Sequence, residues 1–258
     1  MSHLITQHDY DWDHTNRDLI IFIPNFGRRH MLEHSLRWFS TNISRDRWQI
    51  LICNDGVHED LGSLSDFNVS YFTFVRPKVS ERNGCFVRNY AIARTKSKYI
   101  FQCDPEIIIK GDCVEKLLSI QSDIYRIGQV KLLTDKETSS VIAGIDVLQD
   151  LTVRSLRTKD NMYLHCGFGA KVEILRSIRG YDEEFTHWGY EDRELYYRLS
   201  RKKLGYNIYI DYDCASYHMW HPNTGGKNAE IKKHKMRRLF QNKVSRKQKC
   251  NLNGWGNG

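Results

Sequence analysis

LIIFIPNFGRRHMLEHSLRWFSTNISRDRWQILICNDG, residues 19–56, holds the first β-α-β unit of the chain. Leu19–Ile23 is an unbroken apolar run closed by Pro24 and a turn containing Gly27, which reads as a buried strand. Leu32, Leu36 and Phe39 then recur at i, i+4 and i+7, one face of a helix. Gln49–Cys53 is a second buried strand, ending at Asn54-Asp55-Gly56. Working outward, Tyr71–Val75 reads as a third strand and Phe86–Ala93 as a helix. Tyr99–Cys103 is a further strand, stopped by Asp104-Pro105-Glu106. Asp112 with Glu115 has the spacing of a capping box ahead of a helix face built from Val114, Leu117 and Leu118. This alternation predicts an α/β fold, a mostly parallel sheet with helices on its faces. Ligands bind such sheets at the carboxyl ends of the strands, and three of those ends carry polar clusters: Pro24–Arg29, Asn54–Gly56 and Asp104–Glu106.

The second half is less regular. Residues 125–165 show apolar patches without a period. Lys171–Arg179 reads as a helix ended by Gly180, and His187–Glu191 as a polar-aromatic loop leading into a helix marked by Leu195 and Leu199. Asn207–Asp211 alternates like a strand and runs on to Tyr217-His218-Met219-Trp220-His221-Pro222. The chain divides into an N-terminal arm (1–17), one domain (18–222) and a basic C-terminal extension packed on it (223–258). Of its 258 residues, 40% are hydrophobic, which excludes disorder as the main state. No apolar run is long enough to span a bilayer and no signal core opens the chain, so a cytoplasmic location, in a bacterium or a phage-infected host, is expected. Seven cysteines without a CxxC pair read as buried free thiols in a reducing compartment.

The formal charge of +8 is concentrated. Residues 227–249 hold ten Lys/Arg against the single Glu230, and the remainder of the chain is close to neutral. Met236, Leu239, Phe240 and Val244 recur there at helical spacing, predicting a basic amphipathic helix against the body. Such a face is either simply solvated or meets nucleic acid, an anionic membrane surface or nucleotide phosphates.

Three constellations can carry chemistry. In Asp104-Pro105-Glu106 a proline fixes the backbone between two carboxylates, which can reach one Mg²⁺ or Mn²⁺ from the same side, or merely close a strand. His218 and His221 offer imidazole nitrogens to the same ion, or are surface residues. Trp188-Gly189-Tyr190-Glu191-Asp192 joins two flat aromatic faces suited to a sugar with two carboxylates in a first helical turn. The helix dipole favours their ionised form there, and an ionised Asp192 can act as general base. The plainer reading is helix-start chemistry.

Taken in order, Ile23-Pro24-Asn25-Phe26-Gly27-Arg28, Cys53-Asn54-Asp55-Gly56, Arg88-Asn89, Tyr99–Glu106, Gly167-Phe168-Gly169, Gly180–Phe185 and Trp188–Asp192 with Leu195 and Arg198 form a series. This series resembles nucleotide-sugar glycosyltransferases of the GT-A fold, closest to the family-2-like enzymes of the chondroitin-polymerase type and to the C-terminal region of galactosyltransferases. The resemblance covers residues 18–222, and the Trp-Gly-x-Glu-Asp element is its most specific part. It implies that Pro24, Phe26, Arg28, Asp55 and Arg88 bind the donor nucleotide. It implies further that Asp104, Glu106, His218 and His221 hold a divalent metal, Mn²⁺ or Mg²⁺. Trp188, Gly189 and Tyr190 would meet sugar and acceptor, Glu191 an acceptor hydroxyl, and Asp192 would be the base. Two positions depart from the family pattern. The metal motif is Asp-Pro-Glu in place of Asp-x-Asp, and Tyr190 stands where many relatives carry Gly.

The implied reaction is transfer from a UDP-sugar by direct displacement at the anomeric carbon, with inversion. Family precedent points to a surface glycan as acceptor, whereas the basic extension suits a polyanion such as DNA carrying a hydroxymethylated base. Two other classes compete with this reading. A degenerate, non-catalytic binder of sugar or nucleic acid is favoured by Asp-Pro-Glu and opposed by the intact Trp188–Asp192 element. A sugar nucleotidyltransferase would need a Gly-rich basic loop that Pro24–Arg29 does not supply.

Overall fold

A computed structural model describes residues 4–6, 18–42, 47–56, 67, 69–75, 83–109, 111–144, 155–157, 166–222, 228–246 and 250–256. The run Leu19–Ile23 forms a strand because both of its faces find a core. In β2 (Leu19–Asn25), Leu19, Ile21 and Ile23 enter one apolar cluster, while Ile20 and Phe22 enter the opposite one. β3 (Trp48–Asp55) and β5 (Tyr99–Gln102) alternate in the same way. Each such side chain stabilises the fold by roughly 1.5–3 kcal/mol. The first cluster lies under α1 (Arg29–Asn42), with Leu32, Leu36 and Phe39 inward, and under α3 (Gly111–Ile120). The second lies under α2 (Gly84–Arg94), α5 (Val172–Ser177), α6 (Glu191–Leu199) and α7 (Ala229–Arg246).

Among the described residues ten strands form one sheet. The remaining ones are β1 (Leu4–Thr6), β4 (Val69–Val75), β6 (Ile107–Ile109), β7 (Ile124–Leu132), β8 (Ser155–Arg157), β9 (Phe168–Lys171) and β10 (Ile208–His218). Their order is β1-β4-β3-β2-β5-β9-β7-β10-β6, with β8 on β7. The block β4-β3-β2-β5 is parallel, as the sequence pattern predicts. The chain runs outward from β2 to β4 and then crosses back to β5 on the other side of β2. The carboxyl ends of β2 and β5 therefore flank a topological switch point, where such sheets bind ligands. Beyond β5 the sheet becomes mixed: β9 is antiparallel to β5 and β7, β10 is parallel to β7, and β6 is antiparallel to β10. Gly169 is part of this closure, because a Cβ there would lie 2.5 Å from Leu117 Cδ2.

Several local expectations change. Residues 124–142, aperiodic in sequence, form β7 and α4 (Asp135–Ile142). The capping box occurs at Thr134 and Glu137 of α4; Asp112 lies inside the first turn of α3. Phe168–Lys171 is strand, so the following helix starts at Val172. The N-terminal arm contributes β1, paired with β4, and the rest of it lies outside the described residues. Cys53, Cys85, Cys103, Cys166 and Cys250 are buried free thiols as expected. Cys113 and Cys214 instead form a disulfide that links α3 to β10, with Cα atoms 5.7 Å apart. Their 101-residue separation hides the pairing in the sequence. No helix among the described residues is long and apolar enough to cross a membrane.

Candidate active site

The pairing of β6 with β10 sets His218 opposite Ile107, next to Glu106. The backbone fixes this further, as the Met219 amide donates to the Glu106 carbonyl at 2.9 Å. The turn before β6 is held on α1 by the Ser35 hydroxyl, which donates to the Pro105 carbonyl at 2.7 Å. Glu106 is 2% exposed. Its Oε1 accepts from Arg28 Nη1 and lies 3.4 Å from His221 Nε2 and 3.7 Å from His218 Nε2. Its Oε2 is buried without a hydrogen-bond partner. His218 Nδ1 is 2.9 Å from the Met219 carbonyl, and His221 Nδ1 is 3.0 Å from that of Pro222. A ring donating from Nδ1 leaves its Nε2 lone pair for an ion or takes a proton there. The ligand atoms of Glu106, His218 and His221 all lie within 4.8 Å of one another. One carboxylate and two imidazoles fit a divalent ion, and the two nitrogens suit Mn²⁺ better than oxygen-seeking Mg²⁺. The unpaired Oε2 is a further free ligand atom.

Burial alone would raise the Glu106 pKa, but the His221 hydrogen bond and the Arg28 charge outweigh it and bring it to about 2. Burial lowers His218, while the hydrogen bond to Glu106 raises His221. Asp104 turns away from this trio: its Oδ1 accepts from Arg88 Nη2 at 2.7 Å. Arg88, on α2, is itself buried, and its guanidinium lies 5.6 Å from the Tyr181 ring centroid.

The donor-side loops are tied to each other. Asn25 at the end of β2 donates from Nδ2 to Asn54 Oδ1 of β3 at 2.8 Å. Asp55 follows as a buried carboxylate at the β3 carboxyl end; Pro24, opposite Cys53 in the register, and Phe26 and Arg28, just past the end of β2, are partly exposed.

The second cluster opens α6. Gly189 (φ +105°) and Tyr190 (φ +74°) both have left-handed backbones. For Tyr190 this costs about 1–2 kcal/mol, a cost that Gly at this position would not carry. Its ring is held 5.7 Å from Phe240 of α7, with the Arg193 guanidinium 5.1 Å away. Glu191 is buried, with Oε2 unpartnered. Burial and the neighbouring Asp192 charge push its pKa up to about 8. Burial also raises Asp192, but the Arg193 amide (2.7 Å to Oδ1) and the Arg193 and Arg88 charges restrain it to about 6. The helix dipole, expected to keep both ionised, loses to desolvation at Glu191. Of the two, Glu191 is raised further, so it is the carboxylate that favours the proton near neutral pH. Such a pair can divide hydrogen-bond donor and base between them.

The two clusters are linked through shared neighbours. Arg88 pairs with Asp104, and its charge acts on both Glu191 and Asp192. The Cys166 thiol, raised first by burial, also feels Asp104, Glu106 and Asp192. Trp188 stands 69% exposed at the rim.

A family model described as the N-terminal domain of galactosyltransferase matches residues 157–222, which include the α6 cluster and both histidines. Chondroitin synthase of Pasteurella multocida (strain Pm70) is 25% identical over 256 residues, covering 83% of this chain and 26% of its own length. The chain thus spans about a quarter of that relative. Among solved structures, S. aureus TarS 1-349 in complex with UDP-GlcNAc superposes with a TM-score of 0.62 at 12% identity, over 88% of this chain and 66% of that one. The mannosyltransferase PcManGT from Pyrobaculum calidifontis, in complex with GDP-Man and Mn²⁺, gives 0.58 at 12% identity, over 95% and 69%.

The fold is GT-A. Glycosyltransferases are also what the chain resembles in sequence, as its motif order implies.

Asn89 and Arg198 belong to the motif series without a role assigned to them, and Lys243 escaped sequence reasoning; all three shape this GT-A site. Asn89 donates from Nδ2 to the Tyr181 carbonyl and to Glu183 Oε1, both at 2.8 Å, and its Oδ1 accepts from the Tyr181 amide. It thereby anchors the segment leading to Trp188. Arg198 holds the same segment, donating to the Ile178 and Gly180 carbonyls while paired with Glu194. Lys243 is buried against Asp182 and Glu184. It lies at i+7 from Met236 and i+4 from Leu239, so the helical period that marked the packed face of α7 was the signal for its burial.

Proposed function

We propose that the chain transfers a sugar from a nucleoside-diphosphate sugar, a UDP-sugar, to a hydroxyl of a polymeric acceptor with inversion of configuration. The observation that carries this reading is the buried Arg88, paired with Asp104 and acting by its charge on the Glu191–Asp192 dyad. The Glu106–His218–His221 trio begins two residues beyond Asp104 in the chain. Arg28, Arg88 and Asp55 sit at the carboxyl ends of the strands or beside them, where a nucleotide and its diphosphate would bind. A divalent ion held by Glu106, His218 and His221 would supply charge stabilisation for the departing diphosphate. Asp192 takes the proton of the attacking hydroxyl as its oxygen bonds to the anomeric carbon. The bond from that carbon to the diphosphate oxygen breaks, and its electron pair leaves with the nucleoside diphosphate. Glu191, still protonated, donates a hydrogen bond to an acceptor oxygen and orients it. Asp192 then loses its proton to water.

The relative named chondroitin synthase favours a glycan as acceptor, specifically one bearing uronic-acid carboxylates. A second reading, a hydroxymethylated base in DNA, is favoured by the basic face of α7. The test is UDP release over a panel of UDP-sugars with Mn²⁺, Mg²⁺ or EDTA, in the presence of chondroitin oligosaccharides or 5-hydroxymethylated DNA. Release with one donor that needs the ion and rises with chondroitin supports the first reading. A rise with DNA alone supports the second. Absence of turnover or binding with every donor overturns the proposal.

A further inference from the structure

Helix α7 spends little of its charge on folding. Met236 is buried against the body, Leu239 and Phe240 are half-buried, and Lys243 is consumed by Asp182 and Glu184. Lys232, Lys235, Arg237 and Arg238 remain exposed, with no ion-pair partner among the described residues. Cations set this close repel one another, so the strip costs folding free energy unless something anionic lies on it.

Its position is as telling as its charge. The first turns of α7 lie against the loop that opens α6. Lys233 Nζ is 5.2 Å from the Trp188 ring centroid, and a Cβ on Gly189 would lie 3.6 Å from Lys233 Cγ. The nearby His187 is held below its ordinary pKa by burial and by the charges of Lys232 and Lys235. An exposed indole thus stands next to the residues read above as the acid–base pair, with Lys232 and Lys235 near enough for their charges to act on His187 in the same loop. From Lys232 to Arg238 the strip is one helix wide and about 9 Å long at 1.5 Å per residue. Three cations over that length can follow the charges of one extended polyanionic strand. The indole adds a face on which a pyranose can stack.

We propose that the exposed face of α7, with Lys232, Lys235 and Arg238 beside Trp188, is the docking strip for an acidic glycan, the carboxylate-bearing chain whose end is presented to Asp192. Naming the glycan rests on the function proposed above; the strip itself rests on the geometry and charge of α7. It acts before chemistry, by raising the residence of the polymer next to the site.

The experiment measures binding of the whole chain to fluorescently labelled unsulfated chondroitin, neutral dextran and a short DNA duplex across a salt series, with UDP plus Mn²⁺ as a separate titration. The wild-type chain is expected to bind chondroitin more tightly than dextran, and to weaken as salt rises. The triple variant Lys232→Glu/Lys235→Glu/Arg238→Glu should lose about tenfold or more in chondroitin affinity while keeping its UDP affinity and circular dichroism spectrum. Lys232→Arg/Lys235→Arg should bind as wild type. Should the triple variant misfold, Lys235→Glu alone must still weaken binding and flatten the salt dependence. Unchanged chondroitin binding by these variants overturns the strip. Equal affinity for dextran, or tighter α7-dependent binding of DNA, overturns the acidic glycan as its occupant. Loss of UDP binding in the wild type, with α7-dependent chondroitin binding intact, sinks the catalytic reading and leaves the strip standing.

Discussion

Glu106 and Glu191 are both buried glutamates at the edge of the same site, 2% and 9% exposed, yet their ionisation moves in opposite directions. Burial penalises the charge of each. Glu106 has His221 and Arg28 in direct contact and stays ionised down to about 2. Glu191 has the negative Asp192 next to it, and backbone hydrogen bonds at Glu191 and Gly189 together with the charge of Arg88 do not offset burial and that charge, so its pKa rises to about 8. Desolvation sets the scale of both shifts, and the sign of the nearest charge decides the outcome. One carboxylate is thereby prepared to meet a cation, and the other to donate a hydrogen bond.

The contrast breaks most severely if the base is removed. Asp192→Asn is expected to lower kcat by roughly 10²–10⁴-fold with UDP binding kept. A variant retaining more than about a tenth of wild-type turnover would take the base role from Asp192. On the cation side, His221→Ala should weaken Mn²⁺ binding by at least about tenfold, read by the paramagnetic signal of the free ion. Equal affinity would mean that the trio is not a metal site.

The comparison is sharpened by pH. With Asp192 near 6 and Glu191 near 8, kcat/KM should be bell-shaped between those values. Glu191→Gln should abolish the alkaline limb and leave the acid one; an alkaline limb that survives assigns it to another group. The same two glutamates should act oppositely on stability. The folded pKa of Glu106 is depressed, so its contribution is present above the unfolded value of ~4.3 and is lost as pH falls through about 2. The folded pKa of Glu191 is raised, so its contribution is complete below ~4.3 and is lost as pH rises through about 8. Glu106→Gln should therefore lower Tm at pH 7, whereas Glu191→Gln should raise it at pH 9 and leave it nearly unchanged at pH 4. Thermal scans with the two variants reversing these signs would contradict the assignment.

The smallest effect concerns Tyr190, which caps α6. Tyr190→Gly relieves a left-handed tyrosine but gives up its contact with Phe240, so stability should change by less than about 1 kcal/mol in a denaturant melt. A loss beyond about 2 kcal/mol would show that α7 anchors the loop mainly through this ring.

Much of this was readable from local pattern. The apolar runs at Leu19, Gln49 and Tyr99 announced the parallel block because a strand with a core on both faces has no polar side to show. Pro24–Arg29, Asn54–Gly56 and Asp104–Glu106 were legible as candidate ligand-binding segments because they hold polar residues at the ends of apolar strands. Residues 124–132 stayed illegible, although they form the longest contact of the second half, because β7 pairs on both sides with distant strands and its Arg126 is buried. The Cys113–Cys214 bridge and the Lys243 pair with Asp182 were hidden by separation along the chain.

The sequence by itself determined the α/β class, the strand ends that bear the site and the uneven placement of charge, since each follows from residue type and short-range period. Only the tertiary structure decided which carboxylate meets the histidines, which is held by Arg88, and which keeps its proton. A glutamate's charge state depends on the charges brought within a few ångströms, and here they come from segments far apart in the chain: Arg28, Glu106 and His221 on one side, Arg88 and Asp192 on the other.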